Sequence, residues 1–435
     1  MNRRKRLLAA LACAALACAA LLCACTAGLA QGGEADAQAP GVPELTHAGM
    51  ALLYEESTDT ILYARDEAKK NAPASMTKVM TAILVLEYDP ELSGETVVPP
   101  EALESEYCWW VDTDHLEAGE EVSVLNLMKY LLIPSGNEAA ATLAFYVAGD
   151  YYAFVDMMNA KAAELGMTET YYADPHGLSS ESTVSARDML ILSRYAMQNE
   201  TFRSIVGMKQ GFLPVSNMRN SAYYYSTTNR VMDPRGNEAY QWPYADEIVG
   251  IKTGSTGSAG YNLSCCMETG ELTFYSVVMH CVPARVGSDL VYGHYTSSIE
   301  LLTWAHSFHK QGFAAGAPAA TARTKGSLAA NVELVAEEDA YILVQEGKAF
   351  EPEIALGEIA DAVKRGEALG TLTLRDEFGN VRQTALVAAA DAQTSLLPAA
   401  LLIGGGALAA AAAAVFAVRA MKGKRARASQ EAEEA

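Results

Sequence analysis

Met76, Val79, Met80, Ile83 and Leu84 recur at i, i+3, i+4, i+7 and i+8, the spacing of a helix that buries one face. Pro73 marks where that helix begins. Ser75 therefore falls in the first turn, where free backbone N–H groups and the positive end of the helix dipole can hold developing negative charge. Lys78 lies one turn further along the same face, so its amine can reach the Ser75 hydroxyl.

A serine is a poor nucleophile until a base takes its proton, and a lysine serves as that base only when burial or a neighbouring cation leaves it neutral. The competing reading is an ordinary N-cap serine with a lysine snorkelling off an amphipathic helix. Ser-x-x-Lys alone does not separate the two.

Both ends of the 435-residue chain are atypical. Arg3, Arg4, Lys5 and Arg6 precede an apolar stretch, Leu7 to Ala24, and Gly28-Leu29-Ala30 offers a cleavage site, so residues 1–30 read as a signal peptide of an exported chain. Leu22-Cys23-Ala24-Cys25 loosely resembles a lipobox, the alternative being lipidation at Cys25. At the other end, residues 396–418 are uncharged, Ala/Leu-rich and long enough to cross a bilayer. Arg419, Lys422, Lys424, Arg425 and Arg427 follow, which predicts a cytoplasmic tail, 419–435, and a single-pass protein of the cell membrane with its catalytic domain on the extracellular face.

The net charge of −21 disfavours nucleic acid or an anionic surface as a partner. Outside the signal region stand Cys108, Cys265, Cys266 and Cys281, which allow three pairings, and their spacing fits no zinc site.

Between the ends, residues 31–42 read as a linker and residues 48–55 and 60–64 as a hairpin leading to Ser75. Amphipathic helices are predicted over 123–133, 135–147, 152–165 and 185–197, with a turn at Asp174-Pro175-His176-Gly177-Leu178. Antiparallel strands are predicted over 247–251, 261–266 and 272–281, and a long helix over 288–309. Strands at both ends of a helical block imply α+β, over 43–313. An Ala/Gly/Pro/Thr stretch, 314–325, reads as a boundary before a small all-β domain, 327–392, with strands at 332–335, 341–344, 371–374 and 381–387.

Two further motifs bear on Ser75 and Lys78. Ser135-Gly136-Asn137 opens a predicted helix, and Ser135 with Glu138 also reads as a capping box. Lys252-Thr253-Gly254 ends a predicted strand, where a Gly-rich turn would also fit. Taken together the order is Ser-x-x-Lys, Ser-x-Asn, Lys-Thr-Gly, the set of penicillin-binding proteins and class A β-lactamases.

The segments around these motifs, together with Pro175-His176-Gly177-Leu178 and Ser185-Ala186-Arg187-Asp188-Met189, closely resemble the low-molecular-mass penicillin-binding proteins, serine D-alanyl-D-alanine carboxypeptidases. The resemblance spans about 48–310, and residues 327–390 resemble that family's C-terminal β domain. Two departures stand out. Glu181 to Ala186 is about one residue shorter than the family's segment and lacks its His, and the anchor crosses the membrane where the family's often lies on it.

The resemblance implies a transpeptidase fold with an antiparallel sheet flanked by helices, stem peptides of peptidoglycan as substrates, β-lactams as inhibitors, and neither metal nor cofactor. It implies that Ser75 attacks the carbonyl between the terminal D-alanines, Lys78 takes its proton, and Ser135 relays a proton to the leaving group. Asn137 would orient Lys78 and the substrate amide, Lys252 and Thr253 would hold the carboxylate, Gly254 would admit the substrate backbone, and the N–H groups of Ser75 and Ser255 would form the oxyanion hole. His176 reads as a turn residue and Arg285 as a solvated one. Competing readings are a β-lactamase or endopeptidase on the same fold, or a wall-binding protein without turnover. Against the first stands the lack of a Glu-x-x-Asn between Ser135 and Lys252.

Overall fold

The computed structural model describes residues 41–104, 115–286, 289–325 and 329–393. The expected signal peptide (1–30), most of the expected linker (31–42), Cys108, the segment expected to cross the membrane (396–418) and the expected tail (419–435) lie outside them. Among the described residues no helix is long and apolar enough to cross a membrane.

Five antiparallel strands form the central sheet, in the order Thr60–Arg65, Met50–Glu55, Leu272–Cys281, Gly260–Thr269, Ile248–Thr256. The Met50–Glu55 strand is buried along its whole length because the sheet is covered on both faces. Met50, Leu52 and Tyr54 pack with the helical block, while Ala51 and Leu53 pack with Leu301, Leu302 and Trp304. Those last three residues belong to the helix Gly293–Ala305, which is shorter than the 288–309 expected. A hairpin, Pro283–Val286 with Asp289–Tyr292, precedes it, and the strand Phe308–Phe313 follows.

The helical block holds Lys78–Tyr88, Val124–Leu132, Asn137–Ala148, Tyr151–Glu164, Ala186–Met197 and the short Glu200–Val206. Ser123, Asp150 and Ser185 cap three of these, each side chain accepting a backbone N–H from the first turn. Met76, Val79, Met80 and Ile83 of the periodic stretch are all buried in the core this block shares with the sheet.

The β domain carries a five-stranded antiparallel sheet ordered Pro318–Arg323, Asn331–Ala336, Val381–Ala388, Ala368–Arg375, Glu353–Leu356. The stretch 314–325, expected as a boundary, thus supplies an edge strand, and the sheet begins before residue 327. An edge strand needs only one paired flank and one buried face, so a run of Ala and Thr suffices. Phe378, in the turn before Val381, packs against Trp304 and Phe308, and Asn380 Nδ2 donates to Thr60 Oγ1 at 3.2 Å, so the β domain is docked on the sheet of the first.

Cys265, Cys266 and Cys281 are free and buried on the central sheet, and burial pushes the Cys265 and Cys281 thiols up to about 12.

Candidate active site

The Ser75 helix begins as one 3-10 turn, Ala74–Thr77, and becomes α-helical at Lys78. That turn is tied to the sheet from below. Asn262 Nδ2 donates to the Ala72 and Pro73 carbonyls at 3.1 and 3.2 Å, and Asn71 Nδ2 donates to the Ala259 carbonyl at 3.0 Å. Lys252 to Gly254 do not end their strand as expected, because it continues to Thr256 and pairs with Gly260–Ser264. It is an edge strand, and the Ser75 turn packs against it at Gly254. A Cβ on Gly254 would stand 2.6 Å from the Pro73 carbonyl and 3.0 Å from the Ser75 nitrogen, so only glycine lets the two backbones lie this close.

Lys78 is fully buried, and its Nζ lies 2.8 Å from Ser75 Oγ, 2.7 Å from Asn137 Oδ1 and 2.8 Å from the His176 carbonyl. Asn137 is the first residue of its helix, and Gly136, not Ser135, is the N-cap. The competing reading of Ser135 as the cap of this helix does not hold, since no side chain caps it. Ser135 has a left-handed φ of 77°, its Oγ is buried with no partner among the described residues, and Glu138 instead accepts from Tyr130 at 3.1 Å. A Cβ at Gly136 would fall 2.5 Å from the Tyr130 ring, which accounts for the middle residue of the motif. A non-glycine residue held at positive φ costs on the order of 1–3 kcal/mol, and here it places an uncommitted hydroxyl in the cavity that Ser75 and Asn137 line.

His176 meets Lys78 through its carbonyl, not its ring, in agreement with a turn residue. The turn wraps the buried Asp174 carboxylate, which accepts from the N–H groups of His176 at 2.9 Å, Gly177 and Ser179 (2.6 Å) and sits 2.8 Å from His176 Nδ1. Tyr151 Oη meets His176 Nε2 at 3.0 Å. Burial alone would raise the Asp174 carboxyl, but the imidazole and the backbone donors outweigh it and hold the group well below the usual carboxylate range.

A depressed carboxyl stabilises the fold above its unfolded value of ~3.9, and that contribution is lost as pH falls through the folded value. Asp174→Asn should therefore cost roughly 2 kcal/mol or more at pH 7, with the gap to wild type closing below about pH 4. Urea unfolding of both proteins at pH 7 and pH 3 checks this. Gly177, at φ 88°, would bring a Cβ to 1.9 Å from the Ala74 carbonyl. Gly177→Ala should displace the Ser75 turn, cost upwards of ~3 kcal/mol and slow acylation with it, as thermal melts and penicillin-labelling rates would report.

Lys252 is 1% exposed, and among the described residues its Nζ bonds only the Thr253 carbonyl, at 3.1 Å. Burial first, and then the charge of Lys78, push its pKa well below the ordinary lysine value. Thr253 Oγ1 meets Thr228 Oγ1 at 2.6 Å. Ser255 is exposed at the mouth. Arg285 is exposed on the hairpin strand Pro283–Val286.

Ser75, Ser135 and Ser255 line two adjoining cavities, of about 790 and 310 Å³. The larger runs toward Tyr151 and the Asp174 turn; the smaller holds Thr228, Arg230, Thr253 and Gly254. Ser75, Ser135, Asn137, Thr253, Gly254 and Ser255 line these cavities, while Lys78 and Lys252 are buried and line neither. Asp174, Arg230 and Asn262 were not anticipated. Asp-Pro-x-Gly carried an Asx-turn signal for the first, whereas nothing local marks the other two. The residues present could position an amide carbonyl over Ser75 and a carboxylate toward Arg230 and Lys252. Among the described residues no group of His, Cys, Asp and Glu could hold a metal ion.

The chain is 28% identical over 354 residues to the D-alanyl-D-alanine carboxypeptidase DacF of Bacillus subtilis, covering 80% of this chain and 86% of that one. It is 27% identical over 356 residues to DacC of Escherichia coli, another D-alanyl-D-alanine carboxypeptidase, covering 77% and 82%. The solved structure of penicillin binding protein 6B from Escherichia coli superimposes with a TM-score of 0.60 at 24% identity, over 81% of this chain and 98% of that one, a likeness of fold. The sequence profile of peptidase family S11, described as D-alanyl-D-alanine carboxypeptidase, matches residues 36–282. That is more than half of the chain, which places it in the D-alanyl-D-alanine carboxypeptidase family.

Proposed function

We propose that this protein removes the terminal D-alanine from peptidoglycan stem peptides through an ester on Ser75. One observation carries the reading: a fully buried lysine amine 2.8 Å from a half-buried serine hydroxyl on a helix's first turn, with a second, unpartnered serine hydroxyl facing the same cavity. Lys78 Nζ meets the Asn137 and His176 oxygens, which can only accept, and the Ser75 hydroxyl, which can also donate. A neutral amine here spends its two N–H groups on the oxygens and aims its lone pair at the Ser75 proton.

Ser75 Oγ then attacks the carbonyl between the two D-alanines as Lys78 takes its proton. The N–H groups of Ser75 and Ser255 face the oxygen that becomes negative. Ser135 passes a proton to the leaving amine, the C–N bond breaks and D-alanine departs. Water cleaves the ester and restores Ser75. Thr253 and Arg230 hold the terminal carboxylate, with the buried Lys252 amine acting behind them through its charge, and the free edge beside Gly254 pairs with the substrate backbone. β-Lactams acylate the same serine.

Fluorescent penicillin and diacetyl-Lys-D-Ala-D-Ala test this together. A stable adduct with D-alanine release is expected. Rapid turnover of the adduct would favour a β-lactamase, and no adduct a wall-binding protein.

The anchoring is part of the proposal. Residues 1–30 are removed on export, residues 396–418 cross the membrane, and the catalytic domain stands outside. A chain truncated after Gln393 should be secreted, soluble and active, while the full chain sediments with membranes. Retention of the truncated chain in the membrane fraction would point to lipidation at Cys25.

A further inference from the structure

Ser135 keeps a left-handed backbone, φ 77°, with its hydroxyl buried and unpartnered among the described residues, in the wall of the cavity that Ser75 and Asn137 share. A serine does not adopt that conformation by preference, so the surrounding structure has to impose it. The contacts next to it converge on Tyr130. In the helix Val124–Leu132 the Tyr130 carbonyl would bond the N–H of residue 134, but Pro134 has none, and the Gly136 N–H takes its place at 2.9 Å. The Tyr130 ring lies against Gly136, where a Cβ would stand 2.5 Å from it, and Tyr130 Oη donates to Glu138 Oε1 at 3.1 Å. The ring is itself fixed: the residue is fully buried, and Tyr225 and Tyr223 pack on it with centroids 5.4 and 6.3 Å away.

Tyr130 thus grips Gly136 and Glu138, the residues on either side of Asn137, and through Gly136 it fixes one end of the Ser135 backbone. We infer that Tyr130 is a positioning residue for the reaction: it holds Ser135 in the strained backbone that presents its hydroxyl to the leaving amine, and so governs the proton relay rather than the attack. The inference rests on the carboxypeptidase reading above. The two steps separate chemically. In a peptide the C–N bond breaks as Ser135 passes to the departing nitrogen the proton that Lys78 took from Ser75. In a thioester the C–S bond breaks and the sulfur departs as a thiolate, with no proton required. A disturbance that reached Asn137, whose Oδ1 meets Lys78 Nζ at 2.7 Å, would slow attack on both substrates alike. Misplacing Ser135 slows the peptide alone.

The test compares kcat/KM for Nα,Nε-diacetyl-L-Lys-D-Ala-D-Ala with that for the thioester analogue whose last residue is D-thiolactate. Tyr130→Leu should lower the peptide-to-thioester ratio by roughly 10- to 100-fold, the scale of a misplaced general acid. Tyr130→Phe keeps the ring and the carbonyl and should leave the ratio close to that of the wild type. Ser135→Ala should lower the ratio as well, and adding Tyr130→Leu to it should lower it no further, because the relay that Tyr130 positions is already gone. The ratio is internal to each protein, so a general loss of stability does not move it. Gly136→Ala, which drives a Cβ into the Tyr130 ring, should lower the ratio in the same way and takes the place of Tyr130→Leu if that variant does not fold. A Tyr130→Leu or Gly136→Ala variant that slows both substrates equally, or a Tyr130→Leu effect on the ratio that is just as large without Ser135, overturns the inference and leaves the carboxypeptidase reading intact. A wild type that releases neither D-alanine nor thiol, and takes no penicillin adduct, overturns the carboxypeptidase reading, and the inference falls with it.

Discussion

Ser75→Ala should abolish penicillin labelling and lower D-alanine release by roughly 10⁴-fold or more, since removing the nucleophile leaves only binding and the oxyanion donors. The fold should survive. Ser75 caps no helix, and in its absence Lys78 keeps the Asn137 and His176 oxygens as partners. The loss is that of one half-buried hydroxyl, about 1 kcal/mol. A thermal melt within a few degrees of wild type, together with no adduct after prolonged exposure to fluorescent penicillin, is the expected pair of results. Labelling retained in Ser75→Ala would transfer the chemistry to another residue, and Ser135 would be the first to examine.

Much of this site was legible in the sequence because its parts lie on elements with strong periodic signals. The apolar spacing from Met76 to Leu84 could only be a buried helix, and this put Ser75 and Lys78 on one face. Local patterns were less trustworthy where tertiary packing had a competing demand. Ser135 and Glu138 have the spacing of a capping box, but Asn137 must reach Lys78 and Gly136 must pass the Tyr130 ring, so Ser135 takes a left-handed backbone and caps nothing. Lys252-Thr253-Gly254 read as the end of a strand because Thr and Gly carry no apolar alternation. They remain strand because Gly260–Ser264 supplies a pairing partner, and sequence does not show which runs become neighbours. Arg230 and Asn262 act across long separations, one into a cavity and one onto the Ala72 and Pro73 carbonyls, and neither has a local signature.

Acylation should rise with pH through an apparent pKa well below the ordinary lysine value, and Lys252→Ala should raise that pKa while weakening carboxylate binding. Lys78 and Lys252 are both buried, and the two charges repel: burial and the charge of Lys78 together depress Lys252. Such a pair sheds its first proton far more readily than an isolated lysine near 10.4. Where Lys78 is the amine that gives up this proton, its lone pair stands 2.8 Å from the Ser75 hydroxyl, which can donate to it. Removing Lys252 takes away the repulsion, so Lys78 stays protonated to higher pH and the rate at pH 7 falls. Lys252→Arg separates charge from identity, because a guanidinium cannot shed its proton in this range: the low apparent pKa should persist even if carboxylate affinity drops. Single-turnover acylation by penicillin, followed from pH 5 to pH 10 in the three proteins, measures all of this. A wild-type rate that is flat across the neutral range, combined with a Lys252→Ala variant that loses affinity alone, would mean that Lys78 is not the titrating base, and the proton of Ser75 would have to leave through Ser135.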